Sequence, residues 1–172
     1  SGKTVVTSNK ELFAKHWPEL EAEAKKMNAG LFFEASCVGG VPIIRTLQEG
    51  MQGNKLKSIK GIINGTTNYI LTQMDEFGTS FDSALKDAQA KGYAERNPAA
   101  DVEGTDACRK IAILASLAFG KHVDSNKIST EGITNITLKD VEYASKINHR
   151  IKLIGQCKKV GEKVFAKVSP LM

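Results

Sequence analysis

Residues 111–119, "IAILASLAF", put apolar residues on every helical face, with Ser116 the single small polar member, and no other stretch constrains the fold as tightly. A helix with no polar side needs neighbours all around it, so it belongs at the centre of a layered core. Gly120 closes the run, and Asp106 and Lys110 stand just upstream, where polarity gives way to apolar sequence. Residues four apart share a helix face, which puts these two side chains together where the helix enters the interior. An arbitrary Asp/Lys pair at this spacing is a surface ion pair worth about 0.3–0.5 kcal/mol. Its place at the mouth of the core makes this one a candidate acid and amine of a site.

Elements on both sides of that helix can supply the surrounding layers. "TVVTSN" (4–9) reads as a short strand, and Ser8 or Asn9 can cap a helix over "NKELFAKHWPELEAEAKKMN". Leu12, Phe13, His16, Trp17 and Leu20 form one apolar stripe on it, and Pro18 is expected to kink or split it. "GLFFEAS" is a second strand, which makes a strand-helix-strand unit, the repeat of a parallel α/β sheet. Such a unit cannot close a domain alone, so the chain is expected to start inside a larger fold. From Cys37 there follow a glycine-rich turn "CVGGVP", a helix "IIRTLQEGMQG", a strand "LKSIKGIIN" and the helices "TTNYILTQMDEFG" and "SFDSALKDAQAKG". Beyond Gly120 come a strand "ISTEGI", a helix "TLKDVEYASKIN", and two strands, "RIKLIGQCKKV" and "KVFAKVSPL", joined by the hairpin turn Gly161–Glu162.

Composition excludes several classes of function. No apolar run approaches the roughly 20 residues that cross a bilayer, and the N-terminus lacks a secretory h-region, so no membrane contact and a cytoplasmic location are expected. Cys37, Cys108 and Cys157 are odd in number and show no CxxC spacing, which fits reduced thiols. The net charge of +5 is spread as lysines interleaved with acids, and the densest groups lack aromatic neighbours to stack on bases. A nucleic-acid partner is therefore not expected, whereas small anionic ligands remain open.

Three stretches carry candidate chemistry. "GYAERNPAAD" puts Glu95 and Asp101 in a proline-bearing loop that feeds the apolar helix. With Asp106 these carboxylates can hold a ligand ammonium group and leave Lys110 for proton transfer. In "GIINGTTNYI" the N–H groups of Gly65, Thr66 and Thr67 open a helix, which suits a carboxylate or phosphate or is simply a capped turn. Asn64 and Asn68 add polar groups that a plain cap does not require. "EASCVGGVP" can gather carbonyl oxygens around a hard cation, or it is a bare glycine turn.

Together "VVTSNK", "FEASCVGGVPII", "GIINGTTNYIL", "GYAERNPAADVEGTDACRKIAILA" and "ISTEGI" resemble the successive motifs of the homoserine dehydrogenases, over practically the whole chain. The resemblance implies an α+β fold with a mixed, mostly antiparallel sheet covered by helices, preceded by the last strand-helix-strand unit of a Rossmann-type α/β domain. Residues 1–36 would be the C-terminal part of that nucleotide-binding domain. Residues 37–172 would be the substrate-binding and dimerisation domain, truncated at its C-terminus. The absence of GxGxxG agrees with a start inside the Rossmann domain.

The implied reaction is NAD- or NADP-dependent reversible reduction of L-aspartate 4-semialdehyde to L-homoserine, by a homodimer. By motif, Lys110 matches the proton donor and acceptor, and Asp106 the aspartate beside it that binds or orients substrate. Glu95 matches the glutamate that holds the substrate amino group, with Asp101 and Tyr93 lining the same pocket. Gly65 and Thr66 match the turn near the ligand carboxylate, and Lys10 the lysine that reaches the cofactor. A sodium site is implied at Glu34, Cys37, Gly39 and Val41, where Cys37 replaces the more usual valine but would contribute a main-chain carbonyl. The alternative reading is an amino-acid-binding regulatory module without redox activity.

Overall fold

Val5–Val6 (β1) and Leu31–Phe32 (β2) run parallel, Val5 beside Leu31 and Val6 beside Phe32. Parallel neighbours need a crossover, and helix α1, Lys10–Lys26, supplies it. This computed structural model describes residues 2–172. Asn9 caps α1 by accepting from Leu12 N at 3.0 Å. The break expected from Pro18 falls at His16, which leaves the helical region at φ −122° and ψ 22°. The buried stripe is narrower than the sequence suggests. It is centred on Phe13, Trp17 and Leu20, while Leu12 and His16, about 100° round the helix, face outward.

Phe13 stacks on Phe33 with ring centroids 4.1 Å apart, and Trp17 meets both rings edge-on. β2 ends early because Phe33 turns into this cluster and Glu34–Ser36 forms a 3₁₀ turn. Glu34 then directs both carboxylate oxygens at the N–H groups of Ile44 and Arg45, 2.9 Å each, and so caps α2, Ile43–Arg45. α2 runs on into a wide π turn, Thr46–Gly50, closed by Met51 N to Thr46 O.

The remaining elements are β3 (Ser58–Gly61), α3 (Gly65–Phe77), α4 (Phe81–Ala90), α5 (Ala99–Val102), α6 (Thr105–Phe119), β4 (Ser129–Thr130), α7 (Leu138–Lys146), β5 (Lys152–Val160) and β6 (Lys163–Leu171). The second sheet has the order β3-β5-β6-β4 and is mixed, mostly antiparallel, with helices packed on it. β5 and β6 form the hairpin, with Gly161 at φ 58° in its first turn position, while β4 lies parallel to β6. α3 and α4 start on Asn64 and Ser80 caps, and α7 on a capping box between Thr137 and Asp140. Lys152 donates to Thr72 at 2.7 Å and so ties β5 to α3, with burial holding its ammonium below the ordinary lysine range.

The chain divides into two units built from separated segments. One takes the chain up to Ile59 with Arg109–Ile128 and Gln156–Ala166, and the other Lys60–Cys108, Ser129–Gly155 and Lys167–Met172. In the first, Ile113 and Leu114 of α6 pack with Phe13, Phe33, Cys37, Ile44 and Leu47. Residues 111–115 are each at most 1% exposed, as a helix apolar on all sides requires. Among the described residues no helix is long and apolar enough to cross a membrane.

Two glycines explain motifs that sequence alone leaves as letters. Gly104, in "DVEGTD", turns the chain from α5 to α6 at φ 84°, and a β-carbon there would meet Thr130 at 3.2 Å. Gly132, in "STEGI", lies against the end of α5, where Ile133 N donates to Val102 O at 2.8 Å. A β-carbon on Gly132 would stand 2.1 Å from Val102 O and 2.5 Å from Glu103 Cα, both backbone atoms. Gly132→Ala is therefore expected to lose about 3 kcal/mol, against no measurable change for Gly39→Ala, which has open space around it; urea unfolding midpoints check both.

All three cysteines are buried and outside any disulfide, and burial pushes the Cys157 thiol up to about 11 from 9.0. A thiol whose folded value is raised stays neutral while the unfolded one ionises. Its linkage therefore lowers stability as pH rises from about 9 to about 11, and not below. In a thiol-reagent titration at pH 8, Cys157 is expected to react only after denaturant is added.

Candidate functional site

Asn64 ends the strand-side turn after β3 in extended conformation and caps α3. Its Oδ1 accepts from Thr67 N at 2.8 Å and from Thr67 Oγ1 at 2.9 Å. Because Thr67 N can only donate, the amide is oriented with Nδ2 away from the helix. Nδ2 donates to Asp101 Oδ1 at 2.7 Å and Asp106 Oδ2 at 2.9 Å. One neutral amide thus gathers two carboxylates, with Asn64 4% and Asp106 7% exposed. The amide itself is neutral, and the two carboxylates beside it make this corner acidic. Asp101 comes from α5, Asp106 from the first turn of α6, and the Gly104 turn between them lets both reach the same amide.

Thr66, beside that cap, donates from Oγ1 to Tyr93 O at 2.6 Å, so the helix start also fixes the chain after α4. The Tyr93 ring, largely exposed, packs at 4.9 Å on Tyr69. Tyr69 donates its hydroxyl to Asp87 and accepts from Lys91 at 2.8 Å, while Lys91 also reaches Asp87 at 2.9 Å. The Tyr69 hydroxyl and then Lys91 hold Asp87 below the usual carboxylate range, and the same knot pushes Lys91 above the ordinary lysine range. Glu95 is exposed on the following loop, whose backbone is held by Gln89.

Lys110 stands one turn after Asp106 on α6 and is partly buried. Its main-chain carbonyl accepts a long contact, 3.8 Å, from the buried Cys37 thiol, which ties the glycine turn to α6 at the lysine. Next to it Arg109 pairs with Glu11 at 3.5 Å, beside Lys10, the first residue of α1. The Glu34 carboxylate caps α2 with both oxygens, and Val38 and Gly40 take left-handed conformations in the turn. Val41 and Gly39 are exposed there. Among the described residues no group of three or more His, Cys, Asp or Glu side chains is suited to a metal ion.

The structure therefore brings Asp101 and Asp106 together through Asn64, and Thr66 to Tyr93. It places Lys10, Lys110 and the glycine turn within the other unit. Sequence reasoning noted Asn64 only as a polar surplus at a cap and missed Gln89, Tyr69, Asp87 and α5. Asp87 and Lys91 are four apart, a signal that was there to be read. No sequence pattern marks Gln89.

The sequence profile described as homoserine dehydrogenase matches residues 42–172. The chain belongs to the homoserine dehydrogenase family. It is 45% identical over 172 residues to a homoserine dehydrogenase of Neisseria gonorrhoeae and 44% identical over 172 residues to one of Bacillus subtilis, covering all of this chain and 40% of each relative. A crystal structure of the homoserine dehydrogenase of Thiobacillus denitrificans superposes with a TM-score of 0.95 at 44% identity, over 98% of this chain and 39% of that one. A hyperthermophilic archaeal homoserine dehydrogenase in complex with NADPH gives 0.82 at 34% identity, over 98% and 48%. The chain thus spans about two fifths of the length of these curated family members.

Asn64→Asp would face Asp101 and Asp106 with a third carboxylate in a buried setting. The variant is expected to lose about 2–3 kcal/mol at pH 7. The loss should shrink as pH falls and the new group takes up a proton that burial and like charge favour. Denaturant titrations at pH 7 and pH 5 check this, and equal losses at both would count against it.

Proposed function

We propose that the protein containing this chain is a homoserine dehydrogenase that reversibly reduces L-aspartate 4-semialdehyde to L-homoserine with NAD or NADP. The observation that carries the reading is the Asn64 amide gathering Asp101 and Asp106, with Lys110 one helical turn further along α6. Residues 1–36 are read as the end of the nucleotide-binding domain, in line with the parallel β1-α1-β2 unit and its separate sheet. Residues 37–172 are read as the substrate-binding and dimerisation domain.

In this reading Asp101, Asp106 and Glu95 receive the substrate ammonium group, and Tyr93 lines the pocket. The α3 start at Gly65 and Thr66 receives the substrate carboxylate, since helix N-terminal N–H groups favour an anion. Asn64 fixes the orientation of both aspartates, so their charge is in place before substrate arrives. When bound, a nicotinamide would supply the hydride that the aldehyde carbon takes up in reduction and would accept it in oxidation. Lys110 gives its Nζ proton to the carbonyl oxygen as that oxygen becomes a hydroxyl, and recovers it in the reverse direction.

One local feature supports the cofactor assignment. β1 leads at its carboxyl end through Thr7 and the Asn9 cap into α1, the place where open α/β sheets bind their ligands, and Lys10 stands there. For sodium, Glu34, whose carboxylate also caps α2, would act with the main-chain oxygens of Cys37, Gly39 and Val41 in the turn. A homodimer and a cytoplasmic location complete the reading, the latter in keeping with three cysteines outside any disulfide.

The test is oxidation of L-homoserine coupled to NAD or NADP by the full-length protein, beside Lys110→Ala. The variant is expected to lose about 10²–10⁴-fold in kcat while still binding homoserine. Homoserine binding without turnover by the unsubstituted protein, with either cofactor, would make it an amino-acid-binding regulatory module instead.

A further inference from the structure

The carboxylate assigned to the substrate ammonium sits on a loop with little to hold it. Tyr93 N and Ala94 N both donate to Ala88 O, at 2.8 and 3.2 Å, and Ala94 is buried, so the chain is anchored up to that point. The side chains of Glu95, Arg96 and Asn97 are all exposed, and packing does not fix the backbone that carries them. What reaches this backbone is the side-chain amide of Gln89, from the last turn of α4. Its Nε2 donates to Glu95 O at 3.1 Å and to Arg96 O at 3.4 Å. An –NH₂ group has two protons, and two successive carbonyls receive them.

We propose that Gln89 is a positioning residue for substrate binding: its amide pins the 95–96 backbone and thereby sets where the Glu95 carboxylate meets the substrate ammonium group. The inference rests on the assignment of Glu95 in the proposed function. An exposed carboxylate on an unpinned loop would have to be ordered at the moment of binding, and that ordering would be drawn from the substrate's affinity. Pinning the peptide in advance removes that penalty. It bears on the ground state and the transition state alike, so KM should carry the effect and kcat should not.

Gln89→Met keeps the length and shape of the side chain and deletes both donors. Gln89→Glu is isosteric and presents acceptors to two carbonyls, which can only repel it. Both are measured in the full-length protein, with Glu95→Gln and the Gln89→Met/Glu95→Gln double variant alongside. KM for L-homoserine is expected to rise about tenfold in Gln89→Met, and at least as far in Gln89→Glu, with kcat within about twofold and an unchanged thermal midpoint. In the Glu95→Gln background, Gln89→Met should raise KM no further, because the amide acts through a group already removed.

An unchanged KM in Gln89→Met, while Glu95→Gln raises it, overturns the positioning role alone. So does an equal rise in both backgrounds, which would mark Gln89 as a general support of the fold. An unchanged KM in Glu95→Gln overturns the assignment of Glu95 and, with it, the role of Gln89.

Discussion

The side-chain amide of Asn64 is the joint from which the candidate site is built. Its oxygen closes the first turn of α3 and its nitrogen collects Asp101 and Asp106, so a helix cap and a carboxylate pair are the same four hydrogen bonds. That economy has a physical consequence. The cap fixes which way the amide faces, and the amide fixes the two carboxylates. No rotation of one part leaves the others satisfied, because buried polar groups left unpaired cost about 1–3 kcal/mol each.

Backbone constraints around this joint are as strict as the polar ones. Asp101 and Asp106 reach one amide only because the chain reverses between α5 and α6, and the reversal runs through Gly104 in the left-handed region. Gly132 then brings the segment after β4 against the same corner at a distance that excludes any side chain. Two glycines from motifs far apart in sequence thus shape one corner of the fold, and the acids stand on it.

Much of this was legible in advance. The all-round apolar run at 111–119 foretold a buried central helix, Pro18 a break in α1, and the stretches that open at Ser80 and Thr137 two further helices, since each rests on local chemistry the sequence spells out. The stripe on α1 was read too wide, because spacing marks a face but not how far the core reaches round it. The loop "GYAERNPAAD" hid a short helix after Pro98, where four residues are too few to show a period. Glu34, named for an ion site, also caps α2 with its carboxylate, a partner ten residues away that no motif announces.

Sequence by itself determined the identity of the groups: which residues are acids, which is the amine, that Asp106 and Lys110 lie one turn apart, and to which family the motifs belong. Covalent spacing and helical geometry are enough for that. Tertiary structure alone decided which groups meet. Asn64 lies 37 and 42 positions from the aspartates it binds, and Gln89 touches Glu95 and Arg96 through their backbone, which carries no side-chain signature at all. Contacts of that kind follow from how helices and turns pack, and packing is a property of the whole chain rather than of any stretch within it.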